Sequence, residues 1–248
     1  MTVTTAPYVI RLQEVEDRVN PSVRGLEDGS GLLAIDFGEP VRPRLVTKIL
    51  DRALDGDGSS ADRTLSWRIA ALLGVWRETS RIDPEFHVVC PSCEEELELS
   101  LPLAELLVEI WTWELPSVVT VGPDDVEMRL PTGSDLERWA LSENDTVMTD
   151  LGLANRTPAE VVERALSEAD PLVDFALNAE CPECGQRLST PIDLEAEALY
   201  GLETARNDIL REVHRLALAY SWTEDQVLAI PPDRRRQYLR LIEERMGR

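Results

Sequence analysis

Four cysteines, arranged as two Cys-Pro-x-Cys pairs, limit what this chain can become more than any other feature: Cys90-Pro91-Ser92-Cys93 and Cys181-Pro182-Glu183-Cys184. Two thiolates with two residues between them face a single ion when the chain turns tightly, and a second such turn completes the tetrahedron that zinc prefers. Pro91 and Pro182 each pre-set φ in the turn, and Gly185 lets the backbone fold back behind the second pair. No cysteine is left over. The set therefore reads as a closed four-thiolate site, with Cys90, Cys93, Cys181 and Cys184 as ligands of a structural Zn2+. A redox dithiol is a weaker reading, because no thioredoxin-like aromatic dipeptide precedes either pair and nothing accounts for two copies. Iron–sulfur clusters favour other spacings. Catalytic zinc needs an open position with a base beside it, and four thiolates leave neither.

The pairs are separated by 87 residues, where zinc ribbons more often have about 15. The longer loop adds about 1.6 kcal/mol of closure entropy, small beside the ~10 kcal/mol or more that metal binding supplies in small zinc sites. An internal repeat with an offset of 91 frames the metal. Cys90-Pro91-x-Cys93-x3-Leu97-x3-Leu101-x-Leu103 matches Cys181-Pro182-x-Cys184-x3-Leu188-x3-Ile192-x-Leu194, and Phe86 and Val88 match Leu177 and Ala179. Alternation on both sides of a tight turn predicts strand, knuckle, strand in each copy. The expectation is two β-hairpins facing each other, zinc-ribbon-like, with pseudo-twofold symmetry. With four thiolates present, His87 reads as an ordinary strand residue. Glu94, Glu95 and Glu96 read as a solvated strand edge or, alternatively, as a contact surface for a basic partner.

The remaining segments give an α+β chain: paired zinc-knuckle β-hairpins with a mixed α/β insertion and a C-terminal helical segment. Residues 1–60 are irregular, punctuated by Asn20-Pro21, Asp28-Gly29-Ser30-Gly31 and Asp55-Gly56-Asp57-Gly58, and read as an arm or peripheral strands. Residues 61–110 hold a helix over Trp67–Trp76 and the first knuckle. In the insertion, 111–175, a hairpin turns at Gly122-Pro123-Asp124-Asp125, a helix starts at Ser134 with Glu137 completing a capping box, and another starts at Thr157-Pro158-Ala159-Glu160. The second knuckle occupies 176–192. The helical region, 193–248, has apolar residues at three-and-four spacing from Leu202 to Tyr220, then a cap at Ser221-Trp222-Thr223-Glu224, and a last helix capped by Asp233. Arg234, Arg235 and Arg236 form a basic patch that either pairs with neighbouring acids or docks on an acidic partner surface.

Catalytic patterns are missing. The chain has two histidines, and no phosphate loop, metalloprotease signature or nucleophile elbow. His214 and Glu212 are two apart on a helical stretch and so point to different faces, which makes His214 a core or helix-contact residue rather than an acid–base partner. The reading is non-enzymatic. With 47 acidic against 25 basic residues and a formal charge of −22, the surface repels phosphate backbones, which argues against nucleic-acid binding. No apolar run reaches the ~20 residues a membrane span needs, and the first residues lack a signal pattern; a cytoplasmic protein is expected.

The run Arg211-Glu212-Val213-His214-Arg215-Leu216-Ala217-Leu218-Ala219-Tyr220-Ser221-Trp222-Thr223-Glu224, continuing through Val227-Leu228-Ala229-Ile230 and Arg234-Arg235-Arg236-Gln237-Tyr238-Leu239, resembles the T-even phage baseplate hub assembly family. Relatives of that family are encoded with contractile phage tails and phage-tail-like contractile injection systems, and several carry paired cysteine knuckles just before the helical segment. The resemblance spans roughly residues 180–243. It implies a non-enzymatic baseplate role, assembled into a phage-tail-like particle with hub, spike or wedge proteins as partners, and it makes Arg234, Arg235, Arg236 and Tyr238 the candidate partner-binding residues. Two other functions stay open at this point: a zinc-ribbon adaptor in transcription or nucleic-acid handling, and a thiol-dependent redox or chaperone switch.

Overall fold

The stretch Leu65-Ser66-Trp67-Arg68-Ile69-Ala70-Ala71-Leu72-Leu73-Gly74-Val75-Trp76 is apolar on nearly every side, the pattern of a helix enclosed by others rather than one lying on a surface. In the computed structural model it forms α3 (Leu65–Ser80), with Ile69 through Trp76 buried. The structure describes residue 26 and residues 30–54, 59–80, 82–111, 113, 116, 118–122, 126–142, 146–153 and 157–246. Around α3 lie α2 (Arg42–Ala53), α4 (Leu103–Ile110) and α8 (Leu194–Tyr220).

The sequence pattern predicts an arm or strands for residues 1–60; among the described residues of that stretch the main regular elements are helices instead. After the short α1 (Ser30–Leu33), α2 places Leu45, Val46, Ile49, Leu50 and Ala53 in the main core. Those residues have helical spacing and Pro43 sits in the first turn, where its missing N–H costs nothing. The β-branched Val46, Thr47 and Ile49 obscure that signal. Asn20-Pro21 and the cluster at residues 55–58 lie outside the described residues.

The described strands form three separate two-stranded antiparallel sheets. β1 (Glu85–Val89) pairs with β2 (Glu96–Ser100), β3 (Val118–Val121) with β4 (Val126–Arg129), and β5 (Ala176–Glu180) with β6 (Arg187–Pro191). Alternate residues of the first and third hairpins, Leu97, Leu99, Leu177 and Leu188, point into the same core as α3. The second hairpin has its own core with α5 (Gly133–Leu141), α6 (Val147–Asp150) and α7 (Ala159–Ala169), built from Val119, Val121, Met128, Leu130, Leu151, Leu153 and Val162.

Two helix starts differ from the sequence reading. Helix α5 is capped by Thr132, whose hydroxyl accepts from the Asp135 N–H while the Asp135 carboxylate accepts from the Thr132 N–H. Asp135 wins over Ser134 and Glu137 because Arg129 also grips it bidentately, at 2.5 and 2.8 Å; Glu137 accepts instead from Thr47 Oγ1 at 2.5 Å. Helix α7 begins after Pro158, which caps it without a side-chain hydrogen bond.

The C-terminal helices fit the expected spacing. Asp193 caps α8 through the Ala196 N–H, and Thr223 and Gln226 form a capping box on α9 (Glu224–Leu228). The last helix, α10 (Pro232–Met246), starts two residues earlier than expected, so Asp233 lies in its first turn rather than at its cap. A third core gathers Val213, Leu216, Val227 and Leu239.

Close approach between α3 and α8 depends on Gly201, because a Cβ there would fall inside the Trp76 indole. Gly201→Ala is therefore expected to lower stability by about 1–3 kcal/mol through overpacking, despite the ~1 kcal/mol by which alanine improves helix propensity. Urea unfolding measures the difference; an unchanged or raised midpoint would contradict it.

Asp170, which follows α7, accepts a hydrogen bond from the Ser66 hydroxyl of α3 and is 2% exposed. Burial pushes its carboxyl up to about 6, from 3.8. The fold thus favours the neutral form: its contribution is intact below about pH 4 and lost as pH rises through about 6. Relative to Asp170→Asn, the native chain is expected to lose on the order of 2–3 kcal/mol between pH 4 and pH 7.5, read from urea midpoints across that range. A constant difference would contradict the assignment.

Candidate metal centre

Each knuckle is a hairpin turn closed by the same two backbone hydrogen bonds. Cys90 N–H donates to Glu95 O at 2.8 Å and Glu94 N–H to Cys90 O at 2.9 Å; Cys181 N–H donates to Gln186 O and Gly185 N–H to Cys181 O, both at 2.9 Å. The fold-back requires a left-handed residue. Gly185 supplies it at φ 72°, and Glu94, 91 positions earlier, adopts φ 61°, where a side chain costs roughly 1 kcal/mol or more. Sequence reasoning found the glycine and missed its counterpart, although the 91-residue offset aligns the two.

The repeat extends past the hairpins. Strand bounds, strand register and helix starts all correspond at that offset: β1 to β5, β2 to β6, and Leu103 of α4 to Leu194 of α8. Leu101 N–H donates to Pro84 O just as Ile192 N–H donates to Phe175 O. Leu103 and Leu194, which end the alternating pattern in the sequence, are the first residues of helices.

The sulfurs meet across the two hairpins. Cys90 Sγ lies 3.7 Å from Cys184 Sγ, and Cys93 Sγ lies 3.6 Å from Cys181 Sγ. The 91-residue exchange turns the first pair into the second, so the near-equality of the two distances is the pseudo-twofold relation seen at atomic scale. All four sulfurs lie within 4.8 Å of one another. A tetrahedron with metal–sulfur bonds of about 2.3 Å has edges of about 3.8 Å, whereas a disulfide needs about 2.05 Å. The four thiols have the spacing of a metal site and not of two disulfides. Cys90 and Cys181 are buried, and Cys93 and Cys184 are exposed.

The thiols are electrostatically unequal. Backbone N–H groups of Ser92 and Cys93 help bring Cys90 down to about 7. Cys93 accepts from the Glu95 N–H, yet partial desolvation and three neighbouring sulfurs push it up to about 12. Cys184 accepts from the Gln186 N–H and is also raised by the adjacent sulfurs. Mutual repulsion among thiolates this close is the cause, and a divalent cation at their centre relieves it. Among the described residues, no other group of three or more histidines, cysteines and carboxylates converges in this way.

The other candidate residues fall away from the cluster. His87 lies on β1 facing solvent, and Glu94, Glu95 and Glu96 are exposed at the turn. His214 is also exposed, not the core or helix-contact residue expected, because Val213 and Leu216 take the inward face of α8. The three arginines separate. Arg235 is 2% exposed, its Nε donating to Glu212 at 3.1 Å and its Nη1 to Ile230 O at 3.2 Å; a buried residue of this kind joins α10 to α8 and offers nothing to a partner. Arg236 is exposed and pairs with Asp233 in the same turn. Arg234 is exposed and donates to Tyr238 OH at 3.4 Å, and Tyr238 meets Tyr220 and Trp222 edge-on at centroid distances of 5.6 and 5.2 Å.

Sequence reasoning also missed Arg42. It reaches from α2 to Asp193, at 2.5 and 2.8 Å, and to Glu195 at 2.7 Å, so it holds the start of α8 directly after the second knuckle. Nothing in the local sequence of α2 signals a contact 151 residues away.

The pseudo-twofold relation yields a test. Cys90→Ser and Cys181→Ser are expected to weaken metal binding by the same factor, roughly 100-fold, which is about a quarter of the binding free energy of a small thiolate site. Cobalt titration followed by its thiolate charge-transfer absorbance measures both. A difference of more than about tenfold between the two variants would argue against equivalent half-sites. No helix of the described residues is long and apolar enough to cross a membrane. Comparison of the chain with protein-family models, with curated proteins and with solved structures returned no match.

Proposed function

We propose that this chain is a non-enzymatic structural or assembly component of the baseplate of a contractile phage-tail-like particle, stiffened by a zinc-ribbon-like site in which four cysteines hold one zinc ion. The observation that carries the reading is the convergence of Cys90, Cys93, Cys181 and Cys184 from two related hairpins at tetrahedral spacing. Soft thiolates in tetrahedral array select zinc or iron–sulfur chemistry, and the Cys-Pro-x-Cys turns favour zinc. When bound, the ion would crosslink the two hairpins. The residues that hold it occupy all four positions, which leaves none for substrate.

A part that joins several neighbours in a large machine needs stiffness and contact surface rather than chemistry. The zinc site provides stiffness where disulfides do not persist. The resemblance of residues 180–243 to the baseplate hub assembly family supplies the location, and the exposed Arg234 and Arg236 beside half-buried Tyr238 are the candidate contact surface. The −22 charge weighs against the nucleic-acid adaptor.

Elemental analysis of protein purified without added metal is expected to find one zinc per chain, and deletion of the gene is expected to abolish contractile particles in electron micrographs of the source cells. Substoichiometric zinc sinks the metal assignment; normal particles sink the baseplate role.

A further inference from the structure

We infer that the thiolate cluster is an oxidation-responsive lock: a hydroperoxide converts it into two disulfides, Cys90–Cys184 and Cys93–Cys181, which bridge the hairpins and release the ion. The inference rests on the four-thiolate reading of the site and not on the baseplate role.

Contact and exposure together set the pairing. Cys90 Sγ and Cys184 Sγ lie 3.7 Å apart, and Cys93 Sγ and Cys181 Sγ lie 3.6 Å apart. Both contacts cross from one hairpin to the other. Each joins an exposed sulfur, of Cys184 or Cys93, to a buried one, of Cys90 or Cys181. A small oxidant reaches one member of each pair from solvent, and the sulfur that must answer it already lies against it. An ion at the centre keeps all four sulfurs deprotonated, so access rather than proton affinity selects the sulfur that is attacked. A disulfide needs about 2.05 Å, which leaves each pair about 1.6 Å to close, a distance a thiol covers by turning about χ1.

The oxidation balances with the peroxide alone. The thiolate of Cys184 or Cys93 attacks one peroxide oxygen; the S–O bond forms, the O–O bond breaks and hydroxide leaves, giving a sulfenic acid. The buried thiolate across the contact then attacks that sulfur; the S–S bond forms, the S–O bond breaks and a second hydroxide leaves. Each sulfur pair loses two electrons to one peroxide, solvent protons neutralise the hydroxide, and the ion departs at unchanged oxidation state. Leu97, Leu99, Leu177 and Leu188 sit in the same core behind the tips, so the hairpins stay opposed as it leaves. The new bonds close loops between residues 94 and 88 positions apart, a constraint on the unfolded chain that replaces the metal crosslink. Closure within each pair, Cys90 with Cys93 and Cys181 with Cys184, would instead let the hairpins part.

Hydrogen peroxide added to the full-length, zinc-loaded protein tests the lock. The expected result is loss of all four free thiols with release of the bound zinc to a colorimetric chelator, reversed by dithiothreitol and added zinc. Trypsin under non-reducing conditions then reads the pairing. Cleavage after arginine puts Cys90 and Cys93 in the peptide 82–129 and Cys181 and Cys184 in the peptide 165–187. The proposed bonds join these peptides; bonds within each pair leave them separate. Fragment masses of the joined peptides are expected to assign Cys90–Cys184 and Cys93–Cys181, and Cys184→Ser is expected to form Cys93–Cys181 and leave Cys90 free. The urea midpoint of the oxidised chain is expected to survive EDTA, whereas that of the reduced chain falls. Separate peptides, a Cys90–Cys181 bond, sulfinic acids in place of disulfides, or an oxidised midpoint as low as that of the reduced chain in EDTA overturns the proposal. A chain that holds no zinc yet forms both bridges sinks the metal reading alone; one that holds zinc and closes within each pair sinks the lock alone.

Discussion

Four thiols within 4.8 Å of one another set the central constraint on this molecule. As thiolates they repel, and the raised positions of Cys93 and Cys184 register that repulsion; as neutral thiols they are weak ligands. The arrangement makes chemical sense with a cation at its centre. What brings the sulfurs together is not the short loop of an ordinary zinc ribbon, because 87 residues separate the pairs. It is the main core. Leu97 and Leu99 behind the first knuckle, and Leu177 and Leu188 behind the second, are buried with α3, α4 and the first turns of α8. Apolar burial therefore sets the positions of the hairpins, and an ion held by the four sulfurs would fix their tips. The closure cost of the long loop is shared with a core that would form in any case.

The insertion between the pairs is attached to that core by polar contacts at specific points. Arg68 on α3 is fully buried beneath Gly133, where a Cβ would strike its guanidinium, and it donates to Pro43 O, Ser60 O and Thr47 Oγ1. Burial lowers its pKa, and the surrounding carbonyls satisfy much of the donor set. On the opposite side, Ser66 of the same helix bonds to buried Asp170. One helix thus carries a buried cation tied to residues 43–60 and a hydroxyl tied to buried Asp170 at the end of the insertion.

Local pattern makes much of this fold legible, and its failures have physical causes. The hairpins, the site and α8 follow from spacing alone, since thiolate spacing, alternation and three-and-four periodicity are short-range signals. Helix α2 is hidden because its β-branched residues and the turn-like segments around it suggest irregular structure, although Leu45, Ile49 and Leu50 have helical spacing. The cap of α5 sits at Thr132 rather than Ser134 because Arg129 on β4 stabilises Asp135, a tertiary contact that local helix-start signals do not encode. The strained turn at Glu94 is concealed by its side chain, since a non-glycine residue gives no hint of positive φ until its repeat partner Gly185 is compared. Arg235 looks like part of a surface patch because three consecutive arginines read as exposed, whereas a helix turns each by about 100° and sends one inward.

That inward arginine completes a pattern along α8. At the start of the helix Arg42 grips Asp193 and Glu195, and burial of Glu195 raises its pKa while the guanidinium opposes the rise. At the far end Arg235 grips Glu212 from within the third core. A helix of 27 residues, about 40 Å long, is held at both ends by guanidinium–carboxylate contacts supplied by other helices, and Gly201 seats it against Trp76 near its start. It therefore acts as a strut that sets the distance and angle between the thiolate cluster and the aromatic group of Tyr220, Trp222 and Tyr238. Removal of either arginine would free one end while leaving the helix itself formed, because its caps and periodicity are local. The geometry between the thiolate cluster and the C-terminal aromatic group is thus a tertiary property, set by contacts that the local sequence of α8 does not contain.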